Sequence, residues 1–246
     1  MSRIFNIFIS ILSIYVLSGC EDEKKQDDVI VFGTSADYPP FEYISNGKIV
    51  GFDIDLATEI AKKMGKKAKI ENLSFGIMFI SMQNKTVDAL ISSLGKTSER
   101  VKTYDFSNQY YKETASIIYK KENTIQNAEQ MRSKKIVVQL GSIPEKWVRA
   151  KTKADVIPMD NMNGAVEALK AGQVEGVMMN TIAAKSFVEK NEGLSCCVIN
   201  EYTENEGYAI AFPKDSPLTQ EVNNILKEME ENGELHKLRS KWSLND

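Results

Sequence analysis

Apolar and polar positions along this chain switch repeatedly between two periods, and the switches divide it into short strands and helices. Residues 29–34 form a compact apolar run with Gly33 near its end, and residues 48–52 form a second, set apart by the turn Ser45-Asn46-Gly47. From Asp53 the spacing becomes helical: Leu56, Ile60 and Met64 recur one turn apart, and Gly65 supplies a stop signal. Further strands are expected at 87–92, 136–140, 174–179 and 194–199, with helices at 98–102, 144–150, 164–171 and 181–189. This alternation predicts an α/β fold with parallel sheets covered by helices. Ligands on such sheets bind where strands exit at their carboxyl ends, so the segments to inspect are 33–41, 92–100, 141–145 and Asn180. None of them carries a dinucleotide glycine fingerprint or a phosphate-loop lysine, and no internal repeat is present.

The first twenty residues follow a different pattern. Arg3 precedes an apolar stretch, 4–16, too short to span a bilayer, and the stretch closes on Leu17-Ser18-Gly19-Cys20. It resembles a bacterial lipoprotein signal: cleavage after residue 19 and acylation of the Cys20 thiol, as by palmitate, would tether a soluble domain to a membrane face. A plain signal peptide, or an uncleaved anchor with Cys20 incidental, is the alternative. The charged residues 21–28 then read as a flexible tether.

Composition narrows the chemistry. Removing residues 1–19 takes away Arg3 and no acid, so the chain's 31 basic and 34 acidic residues become 30 and 34. A mildly acidic chain has no footprint for nucleic acid. With a single histidine, His236, in a C-terminal helical pattern, and only Cys196 and Cys197 left as thiols, zinc sites and histidine-based triads are not expected, and no metal or cofactor is implied. The adjacent cysteines are read as packing residues of a strand, one of them pointing inward.

Two strand exits concentrate candidate binding groups. In 33–42, Tyr38 and Phe41 flank Pro39-Pro40, whose fixed backbone presents both rings rigidly. Phe41 is expected in the core, and Tyr38 either there or as the wall of a pocket. In 92–100, Thr97 is placed to cap the following helix and Arg100 falls in its first turn. An arginine there can fork both oxygens of a ligand carboxylate while Ser92 and Ser93 add hydroxyl and N–H donors, or it can be a solvated partner of Glu99 or Asp105.

Gly33-Thr34 with Tyr38-Pro39-Pro40-Phe41-Glu42, then Val50-Gly51-Phe52-Asp53-Ile54-Asp55-Leu56, Ser92-Ser93-Leu94 with Glu99-Arg100, Asp105-Phe106-Ser107 with Tyr110-Tyr111, and the closing Gly233-Glu234-Leu235 to Lys241-Trp242 stretch together resemble the polar amino-acid solute-binding proteins of bacterial ABC importers. The resemblance implies a two-lobed periplasmic-binding-protein fold of type II, the lobes joined by two crossing strands. Lobe 1 would be 29–117 plus 211–246 and lobe 2 118–210. It further implies a monomer in the periplasm or at the cell surface, held by its lipid, that delivers an amino-acid-like solute to an ABC permease in the inner membrane.

By position, Arg100 resembles the arginine that holds the ligand α-carboxylate, with Ser92, Ser93 and Gly95 around it. Tyr38 and Phe75 resemble aromatic walls, and Ser142 and Ile143 resemble a loop meeting the carboxylate at a helix start. Ser35 stands where members that bind cationic side chains often carry an acid. Gly95 and Ile143 replace hydroxyl residues, and Asn180 replaces the acid that binds the α-ammonium, leaving Asp37, Glu204 or Glu206 to substitute or the ligand to be something other than a standard amino acid. The same fold also carries periplasmic cyclohexadienyl dehydratases, and a surface lipoprotein that no longer transports is a third reading.

Overall fold

In the computed structural model, which describes residues 28–112, 114–202 and 207–244, the chain builds two five-stranded sheets and a small three-stranded one. The signal segment, Cys20 and the tether except Asp28 lie outside the described residues. Strands β1 (Val29–Thr34), β2 (Asp37–Tyr38), β3 (Glu42–Ser45) and β4 (Lys48–Val50) lead into α1 (Phe52–Lys63), followed by β5 (Lys67–Asn72), α2 (Met78–Gln83), β6 (Ala89–Leu90) and β7 (Tyr104–Phe106). After a first crossing come β8 (Ala115–Lys120), β9 (Lys135–Gln139), α3 (Ile143–Lys151), β10 (Asp155–Met159), α4 (Met162–Lys170), β11 (Gly176–Asn180), α5 (Thr181–Glu189) and β12 (Leu194–Val198). The return crossing leads to β13 (Ala211–Pro213), α6 (Leu218–Glu231) and α7 (Glu234–Lys241).

The sheets are ordered β5-β1-β6-β13-β7 and β10-β9-β11-β8-β12. Each has a parallel core, β5-β1-β6 in one and β10-β9-β11 in the other, and one strand that runs against its neighbours, β13 and β8 respectively. The wholly parallel sheets expected from the alternation are thus mixed sheets. The exceptional strand in each arrives from the other half through a crossing, without the helical crossover that a parallel pair needs. The lobe boundary expected after residue 117 falls inside β8, which pairs along its length in the second sheet.

The crossings lie side by side. Tyr208 N–H donates to Tyr111 O at 2.9 Å, and a Cβ on Gly207 would sit 2.1 Å from that same carbonyl. A second close approach starts α1. Its first N–H groups, on Phe52 and Asp53, donate to the carbonyls of Pro40 and Phe41, which leaves Gly51 at φ 141° with no room for a side chain.

Several elements fall short of their predicted spans for visible reasons. The strand expected at 87–92 keeps only Ala89–Leu90, because Asp88 and Ser92 turn their side chains to Val31 N–H and Glu42. The run 48–52 stops at Val50 because Gly51 turns the chain. The helix expected at 98–102 is one 3₁₀ turn, Arg100–Lys102, with Thr97 Oγ1 accepting from Arg100 N–H. Cys196 and Cys197 are free thiols on opposite faces of β12, each packed against a different apolar cluster, and His236 is exposed on α7. No described helix is long and apolar enough to cross a membrane.

Candidate functional site

The carboxyl ends of β6, β9 and β11 face each other across the gap between the halves, as strand exits of this topology must. The cleft there is lined by Tyr38, Phe75, Ser93, Gly95 and Arg100 from one half, and by Gln139, Ser142, Ile143, Pro144, Met178 and Met179 from the other, with Tyr208 on the crossing. Its cavity is about 20 Å³, room for roughly one water, so the walls are nearly in contact.

Arg100 is the one charged residue among the described residues that line this cleft. Its Nη1 donates to Gly95 O at 2.6 Å and its Nη2 to Gly141 O at 2.9 Å, so the guanidinium spans both halves, and it lies 5.0 Å over the Phe79 ring. The acids expected as alternative partners are engaged elsewhere: Glu99 pairs with Lys146 and Asp105 with Lys214. Facing Arg100, Ser142 caps α3 by accepting from Glu145 N–H at 3.2 Å, which brings the positive end of that helix to the cleft at Ile143.

Other contacts draw the halves together around the cleft. Asn180 N–H donates to Tyr38 Oη at 2.7 Å, Met162 N–H to Asp37 Oδ2 at 2.6 Å, and Gly76 N–H to Asp160 Oδ1 at 2.9 Å. Asp37 is buried with no cation among the groups that shift it, and burial above all raises its pKa from the usual 3.8 to about 6. A carboxyl raised on folding contributes stability that is full below 3.8 and lost as pH climbs through 6. Asp37→Asn keeps an acceptor for Met162 and removes that loss. Its stability relative to wild type should rise by about 3 kcal/mol from pH 4 to pH 7 in paired melting curves, and a constant gap across that range would refute the assignment.

Of the residues singled out from sequence, Tyr38, Phe75, Ser93, Gly95, Arg100, Ser142 and Ile143 converge on the cleft, while Ser35, Ser92 and Asn180 do not line it. Ser35 borders a separate cavity between the halves, with its hydroxyl on Asp37 Oδ1. The hydroxyls of Ser92 and Ser93 donate inward to Glu42, and Ser93 N–H donates to Asp53, so these expected ligand donors are already satisfied by the protein. Asn180 Oδ1 caps α5 by accepting from Ile182 and Ala183 N–H, a role that suits asparagine at a helix start. Asp37 is held by Met162 and Ser35 rather than in the cleft, and Glu204 and Glu206 lie outside the described residues.

Gln139, Pro144, Met178, Met179 and Tyr208 are cleft residues that the sequence reading missed. Gln139, Met178 and Met179 sit in the last turns of strands, one or two positions before the exits inspected. Tyr208 belongs to the crossing, where no local pattern marks it.

The family model for bacterial extracellular solute-binding proteins, family 3, matches residues 30–245. The chain is similar to the arginine-binding extracellular protein ArtP of Bacillus subtilis, 38 % identical over 229 residues that cover 92 % of this chain and 89 % of the relative. It is 28 % identical to the L-cystine-binding protein TcyJ of Escherichia coli over 91 % of this chain and 86 % of that protein. Among solved structures, the substrate-binding protein AbpA of Streptococcus pneumoniae bound to L-arginine superposes with a TM-score of 0.83 at 33 % identity, covering 90 % of this chain and 98 % of that one.

Proposed function

This chain belongs to the bacterial extracellular solute-binding proteins of family 3, and we propose that it captures an amino acid by its α-carboxylate in the inter-lobe cleft and presents it to an ABC permease. The observation that carries this reading is Arg100, a guanidinium at the meeting line of the two halves, facing the start of α3. A planar fork on one side and a helix start on the other are complementary to a carboxylate, and a ligand held by both stabilises the closed arrangement. Tyr38 and Phe75 supply apolar walls for the ligand side chain. Binding rather than turnover is supported by the similar proteins, which are themselves named as binding proteins of arginine and cystine.

The test is calorimetric. The lipid-free domain, unfolded and refolded to strip bound solute, should bind at least one member of a panel of L-arginine, L-cystine, L-glutamine and the remaining amino acids at micromolar or tighter Kd. Silence across the panel would overturn the reading.

Anchoring through lipid on Cys20 belongs to the same proposal and is supported by the apolar segment and the Leu-Ser-Gly-Cys box before it. Cys20→Ala should release the protein from the membrane fraction or stall its processing. A mutant that stays membrane-bound at the normal processed size contradicts the anchor.

A further inference from the structure

The Ser92-Ser93 turn beneath the cleft rests on two carboxyl groups that no ligand contact uses. Glu42 on β3 and Asp53 in the first turn of α1 are 1 % and 0 % exposed. Ser92 Oγ donates to Glu42 Oε1 at 3.0 Å and Ser93 Oγ to Glu42 Oε2 at 3.1 Å. Ser93 N–H donates to Asp53 Oδ2 at 2.7 Å, and the Tyr110 hydroxyl donates to the same oxygen at 2.9 Å. The groups facing the pair are thus Ser92 and Ser93 at the exit of β6, Tyr110 at the first crossing, and the two acids themselves. None is basic.

One oxygen of this cluster, Asp53 Oδ1, is buried without a donor. Leaving it so would carry the full cost of a desolvated acceptor, and leaving both acids ionised would bury two negative charges in contact. A proton on Glu42, which is hydrogen-bonded to Asp53, relieves both problems. Burial, and for Glu42 the neighbouring Asp53 charge as well, drives the same way: Glu42 is held well above its ordinary value and Asp53 is raised to about 7.

We infer that Glu42 and Asp53 share a single proton, and that this singly protonated pair is a positioning element that sets the Ser93 turn and makes carboxylate binding in the cleft proton-linked. The inference rests on the reading of the cleft as a carboxylate site. Ser93 is held at φ 48°, a left-handed conformation that a non-glycine residue adopts at a cost, and the bonds to both acids fix it there. Gly95 and Arg100 follow directly in the chain. When the proton leaves to solvent at alkaline pH, a second buried negative charge appears under this turn. It repels the ligand carboxylate and turns two acceptors that shared a hydrogen against each other.

Calorimetric titration of wild type and Glu42→Gln with L-arginine as the probe, from about pH 6 to about pH 9.5, reads the linkage. Glutamine reproduces the neutral acid and cannot lose the proton. Once the change common to both proteins, which belongs to the amine of the probe, is divided out, wild type should lose about tenfold in affinity between about pH 7 and about pH 9.5, whereas Glu42→Gln should hold within about twofold of its own neutral value. Coincident profiles overturn the inference. A second readout needs neither ligand nor variant: the NMR amide resonance of Ser93 in the free protein should shift through the alkaline transition. A resonance that stays still also overturns the inference. A shifting resonance with no arginine binding at any pH supports the pair and counts instead against arginine as the ligand.

Discussion

Arg100→Ala should abolish the ligand-induced rise in melting temperature while leaving the empty protein's own melting point nearly unchanged. In the cleft the guanidinium is the one charge among the described lining residues, so its removal leaves a ligand carboxylate desolvated and without a cation. Truncation of one member of such a pair costs roughly 2–5 kcal/mol, or about 30-fold to several thousandfold in affinity. Without ligand, the protein loses two hydrogen bonds to backbone carbonyls, Gly95 O and Gly141 O, and a stacking contact with Phe79, all at a partly exposed position. That loss should stay near 1 kcal/mol, because the carbonyls regain water when the side chain is gone. Differential scanning fluorimetry with and without ligand separates the two outcomes. A variant that keeps its ligand shift, or melts many degrees earlier when empty, would make Arg100 a structural residue.

Gly51→Ala should have the largest effect on stability of any single methyl addition in the first half. The new Cβ would lie 2.0 Å from Phe41 O and 2.4 Å from its carbonyl carbon, and the backbone at φ 141° is already outside the range that side chains tolerate. Neither neighbour can yield, since both Phe52 N–H and Asp53 N–H are docked on the 40–41 carbonyls. We expect a loss of at least about 3 kcal/mol and a fall in Tm on the order of 10 °C, with Glu42 and Asp53 displaced as the β3–α1 junction opens. A variant that melts within a degree or two of wild type would show that the junction can relax.

How far the sequence carries the reader depends on the distance over which each feature is decided. Residues 29–34 and 181–189 lie where their periodicity places them, because apolar spacing and an asparagine cap are local signals. Arg100, Tyr38, Phe75 and Ser142 were legible because strand exits and family-like motifs point at them, and the structure brings all four to one cleft. The inward turn of Ser92 was not legible. Its hydroxyl partner, Glu42, is 50 residues earlier, and a serine in a motif gives no sign of which way its oxygen faces. Asn180 was read as a lost counter-charge, but its side-chain oxygen answers to the helix that begins beside it. The antiparallel strands β8 and β13 escaped for a related reason: their neighbours come from the opposite half of the molecule, beyond the reach of any pattern in a window of sequence.

The crossing chain also sets an order of assembly. Every strand of the second sheet comes from residues 115–198, so that sheet can be complete while the C-terminal part of the chain is still being made or threaded across a membrane. The first sheet cannot. Its fourth position stays empty between β6 and β7 until residues 211–213 arrive, and that gap presents two unpaired strand edges to whatever is nearby. The half that begins first is therefore the half that finishes last, and nascent chains interrupted before Pro213 should be the ones that need a holding chaperone or fall to proteases.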